Sequence, residues 1–70
     1  MRIVLNGAEE TLEKEMAVSE FIEKTSTEKN INLSGAVVLI NDELIKRENW
    51  KDVVIKENDE IEVLTFVSGG

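Results

Sequence analysis

A chain of 70 residues, 41% hydrophobic and 33% charged, has enough apolar material for one core and none for a second. It contains neither cysteine nor histidine, which excludes disulfides, thiolate metal sites, thiol nucleophiles and imidazole acid–base catalysis. The net charge of -7 argues against binding to nucleic acid or to anionic membranes, and it fits either a basic protein partner or simple solubility.

The chain opens with a predicted β-hairpin. Residues 3–5 form a short apolar run that ends at Asn6-Gly7, a pair that accepts positive φ at both positions of a tight turn. We place the second strand at residues 9–13. The opening run is also too short for a signal peptide, so we expect a cytoplasmic protein.

From residue 18 the apolar positions recur at i, i+3, i+4 and i+7, which is the period of one helix face. These positions are Val18, Phe21, Ile22 and Thr25. The spacing predicts a short amphipathic helix without a capping-box signal at its start, and Asn30 is suited to end it.

Three further extended segments follow the helix. Residues 35–40 form a continuous apolar run, which predicts a strand buried on both faces at the centre of a sheet. Asn41-Asp42 turns the chain into a short strand at residues 44–45. Residues 47–50 suit one helical turn that lays Trp50 against the domain, and residues 53–55 are extended again.

A polar turn at residues 57–60 opens the last predicted strand, residues 61–67. Alternation puts one set of side chains on the core face: Ile61, Val63, Thr65 and Val67. The other set faces outward: Glu62, Leu64 and Phe66.

This order of elements predicts an α+β domain of the β-grasp, ubiquitin-like kind, in which one main helix packs across a mixed four- to five-stranded sheet. We assign residues 1–67 to the domain. A flexible tail of three residues should follow it: Ser68, Gly69 and Gly70.

The tail is the candidate site of covalent chemistry. A free α-carboxylate has a pKa of about 3.5, so at neutral pH it is an anion that resists nucleophilic attack until it is activated. Two glycines without Cβ can enter a narrow channel and leave the carbonyl of Gly70 uncrowded. The other reading is a frayed terminus or the point where a longer chain was cut.

Four stretches carry a resemblance to a known family: residues 1–7, residues 38–43, residues 46–50 and residues 57–70. The most specific feature is Asn41 followed, at fixed spacing, by Arg47 and Trp50. Over its full length the chain resembles the ThiS family of thiamine-biosynthesis sulfur carriers.

The resemblance implies a protein co-substrate rather than an enzyme. An E1-like adenylating enzyme, using ATP and magnesium, would form an acyl-adenylate on Gly70. Sulfur from a donor such as a cysteine desulfurase would convert it to a thiocarboxylate for thiazole synthase. The chain itself would be a monomer that binds no cofactor or metal and has no catalytic residue of its own.

Three residues near the tail are the candidate apolar anchor for partner enzymes: Leu64, Phe66 and Val67. The other reading of Phe66 is that it folds back over the edge of the core. Trp50 is expected to be structural, with Arg47 paired to a carboxylate.

Three other functions remain open from the sequence. The nearest is the small subunit of molybdopterin synthase, a sulfur carrier for the molybdenum cofactor that also ends in Gly-Gly. The second is a ubiquitin-like modifier that forms isopeptide bonds to lysines. The third is a non-covalent binding module with an inert tail.

Overall fold

The computed structural model describes residues 1–33 and 35–65. The elements in chain order are β1 (Arg2–Leu5), β2 (Ala8–Thr11), β3 (Met16–Ala17), α1 (Val18–Lys29), β4 (Val37–Ile40), β5 (Glu43–Ile45), a 3₁₀ turn (Arg47–Asn49), β6 (Val54–Ile55) and β7 (Glu60–Leu64). Five strands form a sheet in the order β2-β1-β7-β4-β5, and β3 pairs with β6 in a small ribbon. Only the pairing of β1 with β7 is parallel among these described strands. The predicted α+β, β-grasp architecture is confirmed.

Two tight turns of the same type connect the strands of the sheet. Asn6 and Gly7 have φ of 49° and 84°, and they join β1 to β2 as predicted. Asn41 and Asp42 have φ of 51° and 69°, and they join β4 to β5. Positive φ at both central residues is the type I′ geometry, whose twist matches that of the flanking strands. The second strand ends two residues earlier than predicted, at Thr11, which lies opposite Arg2 at the start of β1; just beyond it, Leu12 and Met1 exchange backbone hydrogen bonds at 2.8 and 2.9 Å.

The helix buries the predicted face: Val18, Phe21, Ile22 and Thr25. Its start carries no side-chain cap. Instead, the backbone N–H of Val18 donates to the carbonyl of Val53 at 2.9 Å, and that of Ser19 donates to the carbonyl of Trp50 at 3.1 Å. Distant backbone carbonyls therefore satisfy donors that a capping residue would otherwise bind, which explains why the sequence shows no capping signal. Asn30 ends the helix in the left-handed conformation, as predicted.

The prediction that β4 lies at the centre of the sheet and is buried on both faces is wrong. The central strand is β7, and β4 lies between it and the edge strand β5. Val38 and Ile40 are buried, whereas Val37 and Leu39 are half-buried. The core contains residues of α1 together with the inner side chains of the sheet. Since α1 covers one face, the opposite face of β4 stays accessible.

The ribbon of β3 and β6 was only half anticipated. Strand β6 lies within the predicted extended segment of residues 53–55, whereas no strand is predicted at Met16–Ala17. Two residues are too few to show a periodic pattern in the sequence. Met16 and Ala17 form a strand because β6 lies beside them in the fold.

The last strand follows the predicted alternation over its described length. Ile61 is buried and Val63 is partly buried, whereas Glu62 and Leu64 are exposed. Thr65, predicted on the core face, lies after the strand and is exposed. The predicted positions of Phe66 and Val67, the boundary after residue 67 and the flexible tail lie outside the described residues.

Deleting one methyl group from the centre of the core should measurably destabilise the domain. Ile61 is 1% exposed and lies opposite Leu5 and Ile40. Ile61→Val should therefore lower the free energy of unfolding by about 0.5–1.5 kcal/mol, as measured by urea denaturation. The matched change Ile31→Val, at a side chain 45% exposed, should stay within about 0.5 kcal/mol of the parent protein. Equal losses from the two variants would show that Ile61 does not anchor the core.

Candidate functional site

The face of the sheet opposite α1 carries a group of accessible apolar side chains. Val37 of β4 lies directly opposite Leu64 of β7, and Leu39 of β4 lies opposite Leu44 of β5. Residues directly opposite each other in an antiparallel pair share a face. The outer apolar patch consists of these four: Val37, Leu39, Leu44 and Leu64. Leu44 is 57% exposed and Leu64 is 42% exposed, so this surface is available to a partner.

Carboxylates border the patch on the β7 side. The outward positions of β7 are Glu60, Glu62 and Leu64, and Glu62 lies opposite Leu39 of the patch. Farther along the same face, Glu9 pairs with Arg2 at 3.1 Å, with both side chains largely exposed. An apolar centre with an acidic border suits a partner surface that is apolar with basic groups around it.

Two asparagine side chains hold β7, one from each flank. The N–H of Val63 donates to Asn6 Oδ1 at 2.9 Å, and Asn6 Nδ2 donates to the carbonyl of Val63 at 3.4 Å. On the other flank, the N–H of Glu60 donates to Asn41 Oδ1 at 3.0 Å, and Asn41 Nδ2 donates to Asp59 Oδ1 at 3.1 Å. The two amides therefore hold the two ends of the strand that leads to the C-terminus.

Sequence reasoning missed these two contacts. Asn6 and Asn41 were assigned only to turns, and Asn is a favoured residue at positive φ. A usable signal was present, because both type I′ turns begin with Asn although Gly would suffice for the backbone. Of the outer apolar patch, the sequence predicted only Leu64. It predicted a strand buried on both faces at residues 35–40, whereas β4 alternates between an inner and an outer face.

The structure brings one predicted site residue to the candidate surface. Leu64 is exposed on the outer face, as the alternation required, and its role in partner binding stays a prediction. The others lie outside the described residues and also stay predictions: Phe66, Val67, Ser68, Gly69 and Gly70.

Trp50 and Arg47 form a structural pair away from the patch. Trp50 is buried, and its indole N–H donates to the carbonyl of Ile45 at 3.0 Å. The expected pairing of Arg47 with a carboxylate is wrong for the part of the chain that the structure describes. Its guanidinium lies over the Trp50 ring, 5.1 Å from the centroid, where the negative face of the ring attracts the cation.

Within residues 1–33 and 35–65, no three acidic side chains are grouped closely enough to hold a metal ion. The described helices include none with the length and apolar character needed to cross a membrane. The groups that the structure does place together are the outer apolar patch, its acidic border and the two amides on β7.

Comparison with known proteins adds the following similarities. The model of the ThiS family matches residues 2–70. A crystal structure of a thiamine biosynthesis protein (ThiS) from Geobacter metallireducens is 28% identical, with a TM-score of 0.81 over 100% of both chains. An NMR structure of a thiamine biosynthesis protein from the same organism is also 28% identical. It has a TM-score of 0.74 over 100% of this chain and 88% of the other.

One curated relative is similar over part of its length. It is the uncharacterized protein ycf40 of Trieres chinensis, 37% identical over 41 residues. The match spans 59% of this chain and 56% of the relative, so it covers only about half of that protein.

The accessible leucines of the patch should contribute little to stability. Leu44→Ala and Leu64→Ala should each lower the free energy of unfolding by less than about 1 kcal/mol, because much of each side chain already contacts water. The same substitution at Leu12, which is 4% exposed, should cost about 2–5 kcal/mol. Thermal unfolding followed by circular dichroism would measure all three. A large loss at Leu44 or Leu64 would mean that the patch is part of the core.

Proposed function

The chain belongs to the ThiS family, and on that basis we propose that it is a sulfur carrier protein in thiamine biosynthesis. The observation that carries the proposal is the extent of the family match, which runs through the β-grasp domain and continues to Gly70. The full-length likeness to a thiamine biosynthesis protein supports the same pathway over the molybdenum-cofactor alternative. We place the protein in the cytoplasm as a monomer between encounters with its partners.

The proposed chemistry takes place on the carboxylate of Gly70. In the site of an E1-like enzyme that binds ATP and magnesium, a carboxylate oxygen attacks the α-phosphorus of ATP. A P–O bond forms, and the bond to pyrophosphate breaks. The product is an acyl-adenylate, whose carbonyl carbon now carries a good leaving group.

Sulfur then replaces the activated oxygen. Hydrosulfide attacks the carbonyl carbon of Gly70; a donor such as a cysteine desulfurase carries the sulfur as a persulfide, from which a thiol reductant releases hydrosulfide and becomes a disulfide with the donor cysteine. The C–S bond forms, the C–O bond to AMP breaks, and a proton leaves to give the thiocarboxylate. The chain has no Cys or His, so partners must supply the acid–base groups and hold the sulfur before transfer. Thiazole synthase is the proposed recipient.

The outer apolar patch is the proposed docking anchor for these partners. Exposed aliphatic side chains that become buried in a complex supply most of its affinity, while charges at the rim guide the encounter. Leu64 belongs to this patch, and we keep Phe66 and Val67 as further proposed partner-binding residues. The acidic border of β7 favours partners with basic residues around an apolar contact.

The transfer itself can be tested by intact mass. The protein, an E1-like adenylating enzyme, ATP, magnesium and sulfide should yield a product heavier by one oxygen-to-sulfur exchange. Omitting ATP, or deleting Gly70, should abolish the shift while the circular dichroism spectrum stays unchanged. Consumption of the product by thiazole synthase would support the thiamine pathway.

Two results would contradict this function. Absence of any mass shift with the parent protein would favour a non-covalent binding module. Attachment of the whole chain to lysines of other proteins would favour a modifier.

The docking surface can be tested separately from the chemistry. Leu44→Ala and Leu64→Ala should each weaken binding to the adenylating enzyme about tenfold by calorimetry, since each removes a side chain from the centre of the contact. Val54→Ala, at a side chain 43% exposed on the β3–β6 ribbon, is the control and should bind as the parent does. Equal affinities for all three variants would place the docking surface elsewhere.

A further inference from the structure

We propose that Asn6 is a positioning residue for the chemistry at the C-terminus, because its side-chain amide replaces the missing end of β1 beside β7. This inference rests on the proposed function. Strands β1 and β7 are in register only at Val4–Glu60 and Leu5–Ile61. The backbone N–H of Asn6 still donates to the carbonyl of Ile61 at 2.8 Å, after which the chain turns away into β2.

Beyond that point, the β1 flank of β7 has no strand partner in the described part of the chain. One planar amide takes its place, with Asn6 Oδ1 2.9 Å from the nitrogen of Val63 and Nδ2 3.4 Å from its carbonyl oxygen. If β1 continued as a parallel strand, two of its residues would supply this acceptor and this donor. At a φ of 49°, Gly would serve the turn equally well, but it would leave both groups of Val63 to water.

The amide fixes β7 close to where the chain leaves the sheet. Leu64 is paired with Val37 on the β4 flank, while Asn6 holds Val63 on the β1 flank. Two successive residues are therefore bonded from opposite sides, and Thr65 follows them. The direction of the chain at this point is determined by both contacts.

The direction of the chain at Val63 is important because few residues separate Val63 from Gly70. Gly70 is the seventh residue after Val63, so the intervening chain can span at most roughly 24 Å. A partner that grips the outer apolar patch must receive Gly70 within that reach. A defined direction at Val63 raises the fraction of docked complexes in which the carboxylate meets ATP, whereas a frayed strand end lowers it.

Asn41 offers a matched comparison within the same strand. It also begins a type I′ turn, has a φ of 51°, and uses its side-chain amide on β7. Its bonds are to Glu60 and Asp59, at the end of β7 away from the C-terminus. Removing either side-chain amide breaks a similar set of hydrogen bonds. Only the change at Asn6 frees the end of β7 that leads to Gly70.

The experiment compares Asn6→Gly with Asn41→Gly, since glycine keeps the positive φ and removes the amide. Amide hydrogen exchange by NMR, affinity for the adenylating enzyme and the kcat of pyrophosphate release are measured for each. In Asn6→Gly, exchange at Val63 should rise about tenfold while Leu64 stays protected. Its Kd should stay within about twofold of the parent value, and its kcat should fall about three- to tenfold. Asn41→Gly should keep kcat within about twofold.

Asn6→Asp separates the two bonds, because it keeps the acceptor for the N–H of Val63 and loses the donor to its carbonyl. The kcat of Asn6→Asp should fall between those of the parent and Asn6→Gly. If Asn6→Gly folds poorly, Asn6→Asp provides the test. A normal kcat for Asn6→Gly, or an equal loss for Asn41→Gly, would overturn the inference. Failure of the parent protein to be adenylated would instead overturn the proposed function, and Val63 exchange would still report on the amide contact itself.

Discussion

The pairing of β7 between β1 and β4 is the interaction on which the rest of this structure depends. Ile61 lies opposite Leu5 on one flank and Ile40 on the other, so one residue from the C-terminal part joins two hairpins that are far apart in sequence. The strand that leads to the C-terminus is therefore central in the sheet. Its backbone is bonded on two flanks, whereas an edge strand would be bonded on one, and the chain leaves the sheet from a well-held position.

One-sided coverage of the sheet creates the second functional feature. The inner side chains, among them Ile3, Val38 and Ile61, are almost fully buried, in a core that also contains residues of α1. The described part of this 70-residue chain has no second layer for the opposite face, so Leu44 and Leu64 stay accessible there. The small size that leaves this face uncovered therefore also provides a surface that partners can bury.

Local sequence patterns predicted the helix and the strands well, but they predicted less well which strands lie side by side. The Asn6-Gly7 turn, the buried face of α1 and the alternation of residues 61–64 were correct, because each depends on residues close in sequence. The central position assigned to β4 was wrong, since an apolar run shows that a strand is buried without showing which strands flank it. For the candidate site, the sequence indicated Leu64 but not the other three residues of the outer apolar patch. Their grouping depends on the pairing of β4 with β5 and β7.

The sequence by itself determined the hydrophobic periodicity of the helix and strands, the tight turns, the acidic net charge and the absence of Cys and His. These are properties of the residues and their near neighbours. Only the tertiary structure decided the order of the strands, the carbonyl partners at the start of α1 and the contacts of the Asn6 and Asn41 amides with β7. The same structure placed the guanidinium of Arg47 over the ring of Trp50. The physical reason is that an amide, a carbonyl or a guanidinium can bond with many partners, and the fold alone brings one of them within reach.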